Sequence, residues 1–305
     1  MQTTILITGV NGFIGKKLSY HLLEKGYRII GQSRKKSLGP KEIIPYISDL
    51  KDKEEIKLLL QKYQISIIVH LAGASTVASV KDKNCNEIII LTNLLDSIKE
   101  IHKKPVLFYA SSSKVYSNRI EGYASELDQV NPTTTYGEIK SSCEKICKLY
   151  YSFYDVPSVM LRFGNVYGVG DHNTSRIVPK ILTSLYNNEM PSIFSDGKDI
   201  LDYVYVEDVV DCISKLINLL SFNKIKIGYE ILNVGSGTGT STHEVIRIAV
   251  ELFNNIHNQK MEYSLGDKKS CQQLILSMQK IENLTGWVPK YCIYLGIHKT
   301  IKSWL

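Results

Sequence analysis

Thr8-Gly9-Val10-Asn11-Gly12-Phe13-Ile14-Gly15 joins an apolar run, Thr3–Thr8, to a segment in which Ile14, Leu18 and Leu22 recur every four residues. A continuous apolar run reads as a strand covered on both faces, and a four-residue repeat reads as one side of a helix. The three glycines therefore fall in a strand-to-helix turn. One glycine permits the tight bend, one lets backbone N–H groups approach a pyrophosphate, and one lets the helix pack close to the strand. The helix N-terminus adds partial positive charge on the same side.

Outward from this turn the alternation repeats. Tyr27–Ser33, Ile65–Leu71, Val106–Ser111 and Ser158–Phe163 read as buried strands. Between them lie helical patterns through Ile56, Leu59, Leu60 and Tyr63, through Ile88, Leu91, Leu95 and Ile98, and through Tyr136, Lys140, Cys143, Cys147 and Tyr150. Strand–helix alternation with uniformly apolar strands predicts an α/β fold, a Rossmann-type doubly wound parallel sheet with ligands at the C-terminal strand edge. After residue 168 the rhythm loosens into a helix at Ile177–Leu185, a turn at Ser195–Gly197, a strand–helix unit from Asp202 to Leu220 and a strand at Glu230–Val234. The expected division is a dinucleotide-binding domain over 1–168 and a smaller mixed α/β substrate lobe over 169–305. About 202–236 is expected to contribute a strand and a helix back to the first domain.

The 305 residues carry 37 basic and 30 acidic side chains, a net charge of +7, but no run of five or six like charges. A nucleic-acid partner is not expected from that scatter. Six cysteines (Cys85, Cys143, Cys147, Cys212, Cys271 and Cys292) include no C-x-x-C and no Cys/His cluster at ligand spacing, so no metal is expected. Cys143 and Cys147 share a helix face and read as small core residues. Reduced thiols, no apolar run near 18 residues and no leader-like start point to a cytoplasmic protein without a membrane span.

The glycine spacing, Gly-x-x-Gly-x-x-Gly after Thr8, resembles that of the extended short-chain dehydrogenase/reductase family, also called the NAD-dependent epimerase/dehydratase family. The resemblance extends through Asp49-Leu50, His70-Leu71-Ala72-Gly73, Ser111-Ser112-Ser113 with Val115-Tyr116, and the Tyr-x-x-x-Lys signature Tyr136-Gly137-Glu138-Ile139-Lys140. It continues in Leu161-Arg162-Phe163-Gly164-Asn165-Val166-Tyr167-Gly168, Asp202–Asp208 and Gly286-Trp287-Val288-Pro289-Lys290. It implies a nicotinamide dinucleotide held by Gly9, Asn11, Gly12, Phe13, Ile14, Gly15, Ser33, Arg34, Asp49, Leu50, Leu71, Ala72, Gly73, Tyr136, Lys140 and Phe163. It also implies catalysis by Ser112, Tyr136 and Lys140, and a homodimer that includes the Tyr136 helix.

Four residues apart on a helix, Tyr136 and Lys140 face the same way. A free phenol ionises near 10, so it exchanges protons near neutrality only with a cation beside it, which Lys140 supplies. Ser112 is placed to hydrogen-bond a substrate oxygen. The three together can polarise a carbonyl and protonate it as hydride arrives.

Three departures narrow the reading. The family's 4,6-dehydratases carry an Asp-Glu pair after the catalytic Ser/Thr, where this chain has Ser113 and Lys114. The stretch Arg28–Lys41 has no acid to accept from a ribose 2′-hydroxyl, but offers Ser33, Arg34, Lys35 and Lys36, which suit a 2′-phosphate. NADP(H) is therefore favoured, with NAD(H) as the alternative. The two arginines that commonly hold the diphosphate in UDP-sugar epimerases fall at Leu201 and about Gln272, which leaves Ser112, Ser113, Asn165, Arg176, Lys180 and Lys268 to hold the substrate or points to a substrate that is not a nucleotide-sugar. The expectation is a reductase of a 4-keto sugar, linked to a nucleotide and 6-deoxygenated, with Tyr136 as proton donor. A nucleotide-sugar 4-epimerase is the nearest alternative; a non-catalytic dinucleotide sensor or nucleic-acid-binding relative is the other.

Overall fold

The apolar runs become the centre of a seven-stranded sheet. The computed structural model describes residues 2–35, 39–73, 86–117 and 122–304. In chain order the first elements are β1 (Thr4–Thr8), α1 (Phe13–Glu24), β2 (Arg28–Ser33), β3 (Ile44–Ile47), α2 (Lys53–Lys62), β4 (Ile67–His70), α3 (Glu87–Lys99), β5 (Val106–Ser112), α4 (Thr135–Tyr154) and β6 (Ser158–Phe163). There follow β7 (Asn165–Tyr167), α5 (Ile177–Tyr186), β8 (Ser192–Ser195), β9 (Ile200–Tyr205), α6 (Val206–Ser221), β10 (Tyr229–Val234), β11 (Gly239–Ser241), α7 (Thr242–His257), β12 (Ser264–Lys268) and β13 (Gln273–Leu274). Two short helices close the chain, α8 (Gln279–Thr285) and α9 (Ile293–Lys302).

Two units emerge. The first comprises Met1–Val115, Val130–Arg162 and Val210–Leu232; the second Tyr116–Gln129, Phe163–Val209 and Asn233–Leu305. The sheet of the first has the order β10-β6-β5-β4-β1-β2-β3, with β3, β2, β1, β4 and β5 paired in parallel. All five residues of β1 and all four of β4 are buried, as strands covered on both faces require. After β3 the order jumps across β1 to β4, so the crevice outside the C-terminal ends of β1 and β4 is the topological switch point of the sheet. Short β3, Ile-Pro-Tyr-Ile, has no counterpart in the sequence reading. Pro45 cannot donate to a ladder, and β3 sits at the sheet edge where that is tolerated.

Helix α4 starts at Thr134, whose hydroxyl accepts from the Gly137 amide, and ends at Asp155 in the left-handed conformation. Its buried side chains recur as Tyr136, Lys140, Cys143 and Cys147, with Gly137, Ser141 and Glu144 beside them. Two of these carry charge. Glu144 is met by Arg162 of β6 in a bidentate pair, Nε to Oε1 at 2.9 Å and Nη2 to Oε2 at 2.6 Å. The Ser111 hydroxyl donates to the same Oε1 at 2.5 Å. Arg162 is thus a clamp between helix and sheet.

In the second unit β9 pairs antiparallel with β11 and parallel with β13 and β7. Of the stretch 202–236, expected to contribute a strand and a helix to the first domain, Val210–Leu232, with most of α6 and β10, groups with the first unit, while β9 lies in the second unit's sheet. Buried Asp202 anchors β9 there: its carboxylate accepts from the amides of Ser236, Gly237 and Leu276 and from the Ser236 hydroxyl. Those donors anchor β9 to the second unit's own loops. Burial raises the Asp202 pKa against these four donors.

Glu144→Ala removes the carboxylate that faces buried Arg162 and is expected to cost about 3–5 kcal/mol. Denaturant unfolding of the two proteins measures the difference; a loss below about 1 kcal/mol, the ordinary value of a surface pair, contradicts the clamp.

Candidate active site

The glycine turn leaves the C-terminal end of β1. Gly9 has φ +68°, and a Cβ there would sit 2.9 Å from the Ala72 nitrogen. A Cβ on Gly15 would overlap the Gly9 carbonyl. Both positions therefore require glycine. The Gly12 amide donates to the Gly9 carbonyl at 2.9 Å and closes the turn. Gly12 is the N-cap of α1 with no side-chain cap, and the first turn, which includes Phe13, Ile14 and Gly15, holds no acid. This backbone cradle at a helix N-terminus fits the diphosphate of a dinucleotide.

Around the cradle, Asn11 Nδ2 donates to the Lys35 carbonyl at 3.4 Å, tying the turn to the end of β2. Ser33 closes the same end by donating from its hydroxyl to the Lys35 carbonyl. Arg34 and Lys35 are exposed there; Lys36 lies outside the described residues. Asp49 is exposed, with Oδ1 accepting from the Lys51 amide at 3.0 Å, while Leu50 is core. Leu71, Ala72 and Gly73 leave the end of β4, and the Ala72 amide donates to the Thr8 hydroxyl at 3.3 Å. The two strand ends that flank the switch point are thereby held together.

Lys140 is 4% exposed and Tyr136 9%. The Lys140 ammonium donates to the Ala110 carbonyl of β5 at 2.8 Å and to the carboxylate of Glu87. It stands 5.6 Å from the centre of the Tyr136 ring and 5.0 Å from that of Tyr109. Burial pushes the Lys140 pKa down, but Tyr136 and Glu87 outweigh it and the result is raised, so Lys140 is an ammonium at neutral pH. The start of α4 lies against the turn after β5, because Gly137 leaves room for the Lys114 carbonyl that any side chain would strike. That contact brings the Tyr136 turn to the serine edge.

The three serines of that edge differ. Ser111 is committed to Glu144. The Ser112 hydroxyl accepts from the Lys114 amide at 3.2 Å, which orients the oxygen and leaves its own proton to donate. Ser113 is buried at the start of a 3₁₀ turn. Ser112 thus keeps a hydroxyl proton to donate, whereas that of Ser111 is spent on Glu144.

In the second unit Phe163 is buried. Asn165 donates from Nδ2 to the Asp202 carbonyl at 3.1 Å. Arg176 pairs with buried Asp171 at 2.8 Å. The Lys180 ammonium lies 3.9 Å from the centre of the exposed Phe194 ring, and Lys268 is exposed on β12. Leu201 and Gln272 lie on neighbouring segments: β13 pairs Leu274 with Leu201, and the Gln272 carbonyl accepts from the Ile200 amide at 2.8 Å.

Sequence reading does not single out Glu87, Tyr109 or the ring of His70, although all three lie within the Lys140 cluster. Tyr109 donates to Glu87 Oε1 at 2.6 Å, and its ring stacks on His70, 6.1 Å between centres. His70 shares a hydrogen bond with the Thr8 hydroxyl through Nδ1 at 2.8 Å. The signal available was an acid heading the otherwise apolar Glu87-Ile88-Ile89-Ile90-Leu91. No group of three His, Cys, Asp or Glu able to hold a metal ion occurs among the described residues, and no described helix is long and apolar enough to cross a membrane.

Residues 5–235 match the model of the NAD dependent epimerase/dehydratase family. The chain belongs to that family. It is an extended short-chain dehydrogenase/reductase in sequence and in the order of its seven-stranded sheet. It is 28% identical over 312 residues to the UDP-glucose 4-epimerase of Halalkalibacterium halodurans, covering 94% of this chain and 91% of that one. It is 26% identical over 319 residues to the UDP-glucuronate 4-epimerase of Thermodesulfobacterium geofontis, covering 97% and 94%. The crystal structure of the Thermus thermophilus UDP-glucose 4-epimerase in complex with NAD superposes with a TM-score of 0.85 at 25% identity, covering 99% and 98%.

Burial pushes the His70 pKa down to about 4, with Glu87 opposing and Lys140 assisting. Its unfolded value is about 6.5. The unfolded chain thus binds the extra proton first, and this contribution to stability is complete above about 6.5 and lost as pH falls toward 4. Unfolding free energies at pH 7.5 and 4.5 are expected to differ more in the wild type than in His70→Gln. Equal pH slopes would contradict a neutral, buried imidazole.

Proposed function

We propose that this protein is an NADP(H)-dependent oxidoreductase that reduces the 4-keto group of a nucleotide-linked 4-keto-6-deoxy sugar. The observation that carries the choice is the end of β2. No acid occurs from Arg28 to Lys41, and exposed Arg34 and Lys35 stand beside Ser33, a set that attracts a 2′-phosphate and suits a cofactor renewed at each turnover. The absence of carboxylates at Ser113 and Lys114 argues against the dehydratase branch.

Bound NADPH supplies the hydride. The chain's own residues do the rest. The glycine cradle and the start of α1 hold the diphosphate, with Asp49 and Leu50 at the adenine and Leu71, Ala72, Gly73 and Phe163 along the dinucleotide. Ser112 donates to the carbonyl oxygen and orients it. As C4 takes the hydride, the Tyr136 hydroxyl gives its proton to the new alkoxide, and the Lys140 ammonium beside it stabilises the phenolate that remains. Ketone, hydride and proton balance to the alcohol. The second unit is the substrate lobe, in which Asn165, Arg176, Lys180 and Lys268 replace the contacts absent at Leu201 and Gln272. Exposed Leu149, Phe153 and Tyr154 on α4 support a homodimer through that helix. Five free cysteines among the described residues support a reducing compartment such as the cytoplasm.

The second reading is a nucleotide-sugar 4-epimerase, favoured by the activities of the relatives. Purified protein that retains stoichiometric NAD, and interconverts a UDP-sugar and its C4 epimer without added cofactor, decides for it. The reductase reading expects NADPH oxidation with at least one nucleotide-linked 4-keto-6-deoxy sugar and tighter binding of NADPH than NADH; tenfold tighter NADH binding contradicts it. Tyr136→Phe is expected to keep cofactor affinity and to lose about 10²–10⁴-fold in turnover. Full turnover in that variant rejects Tyr136 as the acid.

A further inference from the structure

Glu87 is a buried charge that the proposed mechanism does not use. It is the first residue of α3 and 2% exposed, where a carboxylate is costly unless it is paired. Two of its partners belong to the Tyr136–Lys140 cluster. Lys140 and the Tyr109 hydroxyl both donate to Oε1. The backbone makes room for it: a Cβ on Gly73 would lie 2.9 Å from the Glu87 carboxyl carbon. Of the three Lys140 donors, one goes to Glu87 and one to the Ala110 carbonyl. The third is unused among the described residues and remains for Tyr136 or a ribose hydroxyl.

We propose, on the reading of Tyr136 and Lys140 given above, that Glu87 is a positioning residue: it clamps the Lys140 ammonium against β5 and offsets its charge, so that Tyr136 keeps its proton and is set as an acid. An unpaired ammonium beside a phenol favours the phenolate more strongly than one in contact with a carboxylate, which still stabilises it but by less. Four elements bear on the pair. From β4 comes His70, neutral above about pH 4. From β5 comes Tyr109, held protonated by burial and by the Glu87 charge. From α3 comes Glu87, and along α4 the Cys143 thiol faces Lys140. Removing the Glu87 charge lowers the proton affinity of the Tyr136–Lys140 pair, whichever member gives up the proton. Removing the Tyr109 hydroxyl acts the other way, because the Glu87 oxygen loses a competing donor and bears more fully on Lys140.

The test is ¹³C NMR of protein labelled at tyrosine Cζ and lysine Cε, titrated without cofactor, with the pair assigned through Tyr136→Phe and Lys140→Met. In Glu87→Gln the first ionisation of the pair is expected to fall by about one pH unit, tenfold in the equilibrium. In Tyr109→Phe it is expected to rise by a few tenths. The alkaline limb of the pH–rate profile is expected to move with it in each variant. An unchanged ionisation in a natively folded Glu87→Gln, or a fall in Tyr109→Phe, overturns the inference; should Glu87→Gln fail to fold, the direction in Tyr109→Phe decides. An unchanged ionisation together with an inactive Tyr136→Phe overturns this inference alone. The expected shifts together with a fully active Tyr136→Phe overturn the catalytic reading and leave the electrostatics standing.

Discussion

Helix α4 buries two opposite charges one turn apart, Lys140 and Glu144, against the sheet. Neither can stay there unpaired, since a lone charge in a low-dielectric interior is among the costliest groups in a fold. Each has its answer on a different element. Glu144 takes the Arg162 fork from β6 and the Ser111 hydroxyl from β5. Lys140 takes Glu87 from α3 and the Ala110 carbonyl from β5. The rotation and height of α4 over the sheet are therefore set by charge pairing as much as by the apolar contacts of Cys143 and Cys147. Tyr136 inherits that placement, and Gly137 presses the same turn onto the strand end that carries Ser112.

The same constraint shapes the electrostatics of the switch point. A glycine cradle with no acid in the first turn of α1 presents partial positive charge. One strand away, the buried cluster is nearly balanced: an ammonium on a carboxylate, a neutral imidazole and a phenol that keeps its proton. A family built for reversible hydride transfer needs a tyrosine that can act in either direction. The proposed role of Glu87 is to bias this one toward giving a proton.

Much of this was legible in the sequence because its periods are strong. The turn at residues 9–15, the uniformly apolar strands and the Tyr136–Lys140 spacing each admit one structural context, and the fold supplies it. What was not legible depends on tertiary pairing. Glu87 reads as an ordinary favourable acid at a helix start, and nothing in its neighbourhood says that α3 turns it inward toward Lys140. Three adjacent serines are equivalent on paper; only Glu144 and the Lys114 amide distinguish Ser111 from Ser112. Arg162 reads as part of a substrate-side landmark but serves as an internal clamp. Strand β3 is masked by Pro45. The strand near Asp202 gives no local sign of its sheet, because the partners that hold it, Ser236 and Leu276, lie more than thirty residues away.

The proposed reaction gives hydride to a sugar C4 and a proton to its oxygen in one net reduction. It is tested by turnover of a nucleotide-linked 4-keto-6-deoxyhexose with NADPH deuterated at the transferred C4 position, followed by NMR of the product. One deuterium is expected at sugar C4 for each NADPH oxidised. A C4 epimer formed from a UDP-sugar without net NADPH consumption or deuterium incorporation would contradict it.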